Sequence, residues 1–399
     1  MSVAIVGGGV SGLTLGGLLA SEGIDVTIYE RKNRVGKKLL ATGNGRANVS
    51  NVDLKYSHWH SESELPFDPG RYFSPEKRDA FFERLGLDLV EEDRGKLYPR
   101  TLQAQTVLNA LRRAFASFGG IERTDTFIAS IERRGGTFAL LSNEAEYAAD
   151  VVVVATGGRS MPESGSDGKG YGLLEGFGHR LTRTFPGISA LECRSPYLKH
   201  LSGTKIEGEI ALFKDGRRVD RRSGEILFAK DGVSGPPVLD LARTVAEEKA
   251  EYTVSIPMIN HLEQSGDFRA YLEGRSYIPQ TVEAFLEGVV SKKWIHVVLK
   301  TLNLKRDESI DLLDYDKRAE LLDLLFAFTL PVTGVRGFDY AQVTCGGIAL
   351  DEFTEDLESK KCPGLFAIGE VLDVDGDCGG YNIHWAMASA HRVFEKIIK

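Results

Sequence analysis

Three glycines and one acid near the start of the chain carry the first chemistry that can be read from it. Gly7, Gly9 and Gly12 stand in the order G-x-G-x-x-G, and Glu30 follows eighteen residues after the last of them. Gly7 permits a tight turn, Gly9 lets the backbone approach a pyrophosphate, and Gly12 lets a helix lie close on a strand. Val10 precedes and Ser11 opens that helix, whose free N–H groups and partial positive charge suit phosphate. A carboxylate at Glu30 can accept from both hydroxyls of a ribose. Such a glycine pattern alone is common, and its flanks make it specific. Residues 3–6 are an apolar run before the turn. A helix is expected over 11–21, with small Gly12, Gly16 and Gly17 for close packing, and residues 24–29 are a second apolar run ending at Glu30. Strand, glycine turn, helix, strand and acid form the pattern of a dinucleotide-binding fold.

Other stretches offer groups to the same kind of ligand. Arg31, Lys32, Arg34, Lys37, Lys38 and Arg46 follow Glu30 with no acid between them. A solvated face is the plain reading of such a run, and diphosphate neutralisation is the functional one. Thr42, Gly43, Asn44, Gly45, Arg46 and Asn48 make poor helix and poor strand but a good hydrogen-bonding loop beside a flat heterocycle. Residues 151–154 are four valines, as expected of a central parallel strand buried on both faces. They end in Ala155, Thr156, Gly157 and Gly158, either a plain turn or one small enough to touch a ligand. A strand pair is expected around 121–141, a helix over about 103–118, and a helix beginning near Gly170 after a glycine-rich stretch. Near the end, a short strand runs into Gly369 and Glu370, then Asp373, then Gly379, Gly380, Tyr381 and Asn382. A last helix follows, with Ile383, Ala386, Met387, Ala390, Val393, Phe394 and Ile397 on one face.

The middle of the chain has a different character. Ile206, Ile210 and Leu212 alternate with polar residues, as do Tyr252, Val254 and Ile256, so half-buried antiparallel strands are expected there. From about 262 to 330 the period becomes helical, with Phe285, Leu286, Val289, Ile295, Val298, Leu299, Leu321, Leu322 and Leu325. The glycine cluster from Gly232 to Gly235, followed by two prolines, reads as a structural turn. The expected class is α/β: a discontinuous Rossmann-like domain over 1–187 and 338–399, an inserted β-barrel-like module over 188–258 and 327–337, and a helical module over 259–326.

Length and composition agree with a multidomain globular chain. There are 399 residues, 27% charged and 42% hydrophobic, with a formal net charge of −8. That acidic balance argues against nucleic acid as a general partner. Cys193, Cys345, Cys362 and Cys378 are scattered without a CxxC pair, so neither a disulfide framework nor a zinc site is suggested. The first 21 residues carry no charged side chain, but six glycines interrupt them and no basic n-region precedes them, against a signal peptide. No run suits a bilayer span. A cytoplasmic location is expected, with the oligomeric state open.

These pieces together resemble a family of three-domain bacterial flavoproteins, the NAD(P)/FAD-dependent or aminoacetone-oxidase-like oxidoreductases. The resemblance runs the length of the chain. It rests on the first glycine turn with Glu30, on Gly36 to Leu39 leading into the 42–48 loop, and on Gly95 to Pro99. It continues through Ala155 to Gly158, Glu225 to Phe228, Val233 to Pro236, Gly346 and Gly347, Pro363 to Leu365, Gly369 to Asp373, and Gly379 to Asn382. The chain departs from the family at Ala47 and Cys378, where cysteine and threonine are frequent, and at Ala229 and Lys230. The resemblance implies FAD, in a fold similar to glutathione reductase but without its separate NAD(P)H domain, with NAD(P)H as a diffusible donor. It implies the pyrophosphate at Gly7, Gly9, Ser11 and Gly12, the ribose at Glu30, Lys37 and Lys38 near the phosphates or flavin, and the Ile128 backbone at the adenine. It implies the isoalloxazine among 43–48, 369–373 and 379–383.

Flavin chemistry belongs to the cofactor, and the protein positions and tunes it. N–H groups at the start of the last helix would stabilise negative charge on one edge of the ring. His384 is a candidate to face the ring, against the plain reading of a histidine on a helix surface. Arg46 and Tyr381 are candidates for substrate contact, and Cys378 for a redox thiol without a partner in sequence. The expected function is FAD-dependent oxidation or reduction of a small organic molecule, with the substrate beside the insert. The rivals are a flavin-dependent RNA-modifying enzyme and a flavoprotein sensor without turnover.

Overall fold

The computed structural model describes residues 1–259 and 280–399. The chain divides into two compact units, Met1–Gly187 with Gly337–Lys399, and Ile188–Arg336.

The first unit is built on a five-stranded parallel sheet. Its order is Leu365–Ala367, Val151–Val154, Ser2–Val6, Asp25–Tyr29 and Ile121–Arg123. The strands are short apolar runs because both faces of the sheet are covered. Val3, Ala4, Ile5, Val152, Val153 and Val154 are all buried. Helix Val10–Ser21 buries Leu13, Leu15, Leu18 and Leu19, which do not share one narrow stripe, because it packs against both Ala104–Ser117 and Tyr381–Ile397. Gly16 makes the first of these packings close: a Cβ there would lie 3.1 Å from the Phe115 ring. The last strand, from a segment some 200 residues downstream, pairs in register with the valine strand, Val153 opposite Phe366. The chain therefore returns to complete its first sheet.

The strand pair expected around 121–141 is the hairpin of Ile128–Arg134 with Thr137–Ser142, and the region holds more than that pair. Ile121–Arg123 is the edge of the parallel sheet, and Ile128–Arg134, Thr137–Ser142 and Glu146–Ala149 form a separate antiparallel sheet. A short strand-like run does not by itself specify which sheet it joins.

The second unit holds a closed six-stranded antiparallel barrel. Its strands are Leu191–Cys193, Gly232–Ser234, Arg217–Phe228, Lys205–Lys214, Tyr252–Ile256 and Phe328–Val335, in that order around the barrel. Ile206, Ile210, Leu212, Tyr252, Val254 and Ile256 all point inward, as their alternation requires. Helices Val282–Glu287, Lys292–Thr301 and Tyr315–Phe326 share the barrel's apolar cluster, where the Trp294 ring meets Phe228 and Phe328 edge-on. The expected helical run below residue 280 lies outside the described residues.

Candidate functional site

The first turn of the first unit is built by close backbone contacts. Gly7 has φ +113°, and a Cβ on it would sit 2.4 Å from the Ala155 carbonyl oxygen. A Cβ on Gly12 would sit 2.1 Å from the Gly7 carbonyl oxygen. Gly9 is different: nothing lies within 4 Å of a Cβ built on it, and it opens onto a cavity. No side chain caps the helix that begins after it, so its first N–H groups are available to a ligand.

The cavity runs along the C-terminal ends of the central strands, where ligands bind in open α/β sheets. Gly7, Gly9, Val10 and Ser11 line it, with Glu30, Arg31, Lys37, Lys38, Thr42, Ile128, Ala155, Thr156, Gly157, Glu370, Asn382 and Ile383. The Glu30 carboxylate is aimed by two backbone donors, Gly8 N–H at 3.0 Å and Lys32 N–H at 2.8 Å. Burial raises its pKa above the ordinary carboxylate value, and those two hydrogen bonds oppose the shift. Lys38 Nζ and Glu370 Oε2 are 2.5 Å apart, and Glu370 Oε1 accepts from Thr344 N–H at 2.8 Å. Asn382 holds the backbone of Gly376 at both ends of its amide, at 2.9 and 2.8 Å.

Residues absent from the sequence reading complete the wall. Ser164, Ser166, Asp167 and Lys169 also line the cavity. Arg31 pairs with Asp167 at 2.6 Å and also lies over the Phe127 ring, beside Ile128. The glycine-rich stretch before Gly170 was the legible trace of this wall. The hydroxyls of Thr156, Ser164 and Ser166 are buried and have no protein partner. Uncapped helix N–H groups, an aimed carboxylate and orphaned hydroxyls fit a ligand rich in phosphate and hydroxyl oxygens, as a flavin dinucleotide is.

Several expected site residues stand elsewhere. His384 is fully buried and is not among the residues that line the cavity. Its Nε2 donates to the Pro69 carbonyl at 3.2 Å, so its Nδ1 accepts from the Ser50 hydroxyl at 2.9 Å. Burial holds its pKa down at about 4. It is neither a surface histidine nor a group presented to the cavity. Tyr381 is also buried, its ring stacked on His58 with centroids 4.3 Å apart. Arg46 lies over the Tyr98 ring at 4.7 Å and 3.6 Å from Glu92, outside the cavity lining. Gly43, Asn44, Gly45 and Asn48 form the neighbouring loop, with Gly43 and Asn44 both in left-handed conformation at φ 55°. Gly369, Asp373, Gly379 and Gly380 are not among the residues that line the cavity and are fixed by packing. A Cβ on Gly380 would meet the Ser50 carbonyl oxygen at 2.4 Å, and one on Gly379 the Tyr381 ring at 2.8 Å. Asp373 accepts from Glu62 N–H at 3.0 Å, and burial pushes its carboxyl up to about 6. Among the described residues no helix is long and apolar enough to cross a membrane.

The chain is similar to characterised proteins along its whole length. It is 30% identical over 397 residues to the 3-dehydro-bile acid delta(4,6)-reductase of Clostridium scindens, covering 98% of this chain and 97% of the relative. It is 27% identical over 407 residues to the ribosomal RNA dihydrouridine synthase of Escherichia coli, covering 99% and 97%. The 3-ketosteroid delta1-dehydrogenase of Sterolibacterium denitrificans shares its fold, with a TM-score of 0.50 at 11% identity over 99% of this chain and 98% of that one. The family model described as HI0933-like protein Rossmann domain matches residues 1–395, and the chain belongs to that family of FAD-dependent oxidoreductases.

Proposed function

We propose that this protein reduces a carbon–carbon double bond conjugated to a carbonyl, on a small organic molecule or a base, with electrons delivered by NADH or NADPH. The observation that carries the reading is the cavity, whose donors fit FAD, in a chain alike end to end with two reductases of that bond type. A delta(4,6)-3-dehydro-bile acid and uridine differ in size and polarity. Both present an alkene polarised by a carbonyl, so the carbon remote from the carbonyl accepts hydride. FAD, when bound, supplies the two-electron chemistry.

The chain's own residues bind and orient. The N–H groups after Gly9 and the side chain of Lys37 hold the diphosphate, and Glu30 accepts from the ribose. Among the described residues Lys37 is in no ion pair, unlike Lys38 and Arg31. The buried hydroxyls of Thr156, Ser164 and Ser166 take the remaining oxygens. The last helix turns its first N–H groups and Asn382 to the other end of the cavity, where they favour added negative charge.

The test is anaerobic stopped-flow. NADH or NADPH is expected to bleach the bound flavin, and a steroid dienone or a uridine-containing substrate to restore its colour while gaining two hydrogens by mass. Rapid reoxidation by oxygen alone, with neither substrate class turning over, refutes the reading.

A further inference from the structure

A cationic face on the second unit has no part in the cavity chemistry. Residues 194–205 carry three Lys or Arg and residues 292–306 carry five, with no Asp or Glu in either, in a chain of net charge −8. The fold joins these two segments. His200 Nε2 donates to the Lys293 carbonyl at 3.2 Å, Lys293 Nζ donates to the Ser202 carbonyl at 2.6 Å, and the His200 and His296 ring centroids are 4.9 Å apart. Helix Lys292–Thr301 buries Trp294, Ile295, Val297, Val298 and Leu299. Its other side carries Lys292, His296 and Lys300, each four residues from the next.

Several cations of this unit, including Lys205 and Arg306 at the ends of these two segments, are neutralised in place. Lys205 pairs with Glu225, Lys214 with Glu248, Arg221 with Glu209, Arg306 with Glu283 and Arg336 with Asp231. Among the described residues Lys199, Lys292, Lys293 and Lys300 are in no ion pair, and all four are exposed. Unpaired ammonium groups crowded on one helix repel each other, and a polyanion relieves that repulsion.

We propose that this face docks the sugar–phosphate backbone of single-stranded RNA. Lys292 to Lys300 spans about 12 Å of helix at 1.5 Å per residue, too long for a single phosphate and suited to successive ones. Flexible point charges track a backbone without demanding one geometry. The two imidazole rings beside them offer surfaces on which unpaired bases stack, which a duplex does not supply. None of the exposed large hydrophobic residues lies within these segments, so the face has no wedge for a lipid surface. The docking does not rest on the reductase reading, because it is a property of the second unit.

The test is fluorescence anisotropy with the FAD-loaded full-length protein and a fluorescein-labelled unstructured RNA of about twenty nucleotides. Affinity is expected to fall with salt at a log–log slope of about −2 to −3, for three or four phosphates neutralised. The triple variant Lys199→Glu, Lys292→Glu, Lys300→Glu is expected to bind at least about 30-fold more weakly. Arg217→Glu with Arg218→Glu, on the barrel hairpin, is expected to bind as the wild type does. If the glutamate triple variant misfolds, judged by FAD content and melting, the matching glutamine variant decides, with an intermediate loss expected. Absence of RNA binding at low salt, wild-type affinity in the folded triple variant, or capture by phosphatidylserine vesicles in place of RNA overturns the proposal.

Discussion

Glu30 and Gly9 separate two roles that sit a few ångströms apart. The Glu30 carboxylate is held by two backbone donors and lines the cavity, so Glu30→Ala removes the proposed ribose acceptor and orphans both donors. We expect FAD affinity to fall by about 1.5–3 kcal/mol in calorimetric titration of the apoprotein; unchanged affinity would place the ribose elsewhere. Gly9 has φ −79°, which any residue adopts, and open space where its Cβ would go. Gly9→Ala is therefore expected to leave apoprotein stability within about 0.5 kcal/mol, yet weaken FAD at least tenfold, because the methyl group takes the space proposed for the pyrophosphate. A variant that loses stability and keeps FAD contradicts this. Buried histidines set the acid limb of stability. Burial holds His384 at about 4 and His391 at about 3, whereas both titrate near 6.5 when unfolded. Between those values the unfolded chain binds more protons, so stability is complete above about 6.5 and falls as pH drops toward 4. Asp373, raised to about 6, and Glu30, also raised by burial, oppose this, while His179, lowered by burial, adds to it. His391 Nε2 is buried without a partner. His391→Leu should therefore narrow the melting-temperature gap between neutral and mildly acidic pH, and an unaltered gap would remove His391 from the account.

Among the elements, the last helix shows packing deciding what local chemistry left open. Its N-terminal double glycine was expected to serve a flat ring by backbone approach. The structure gives Gly380 a nearer reason: φ +99° and the Ser50 carbonyl where a side chain would stand. Gly380→Ala should cost about 2 kcal/mol or more of stability through strain and contact, read in urea unfolding with FAD present and absent. Equal losses in both conditions make the position structural, and a larger loss with FAD present means that the backbone also serves the ring. The first turn behaves similarly, since Gly7 and Gly12 close on Ala155 and on each other, and only Gly9 faces outward.

At the scale of the whole molecule, the cavity proposed for the cofactor lies within one unit. The cavity's lining residues all fall in Met1–Gly187 and Gly337–Lys399. The ends of the second unit leave from neighbouring strands, with Gly187 opposite Val343 in an antiparallel pair. A deletion variant joining Gly187 to Gly337 through a short linker is expected to retain about one FAD per chain by absorbance, because the sheet, both helices and the cavity wall are kept. A soluble, folded deletion variant without flavin would show that the barrel unit contributes to the cofactor site. Turnover of substrate and RNA affinity should both be lost from it, the second because Lys199, Lys292 and Lys300 go with the deleted unit.

The amino-acid sequence by itself determined the glycine turn with its acid, the valine strand, the alternating barrel strands and the return of the C-terminus to the first sheet. Each depends on local chemistry: left-handed glycines, period-two burial, an apolar run too short for a helix. Only the tertiary structure decided which of these residues share a cavity. His384 is only two residues beyond Asn382 yet faces the Ser50 hydroxyl and Pro69 carbonyl, because the helix packs that face against the core. Ser164 and Ser166 reach the cavity from more than a hundred residues past Glu30, where no sequence spacing signals the meeting. The unpaired lysine face likewise joins segments about ninety residues apart, and net charge concealed it. Periodicity fixes which way a side chain points relative to its own element. The partner it meets is set by long-range packing, which a sequence pattern does not encode locally.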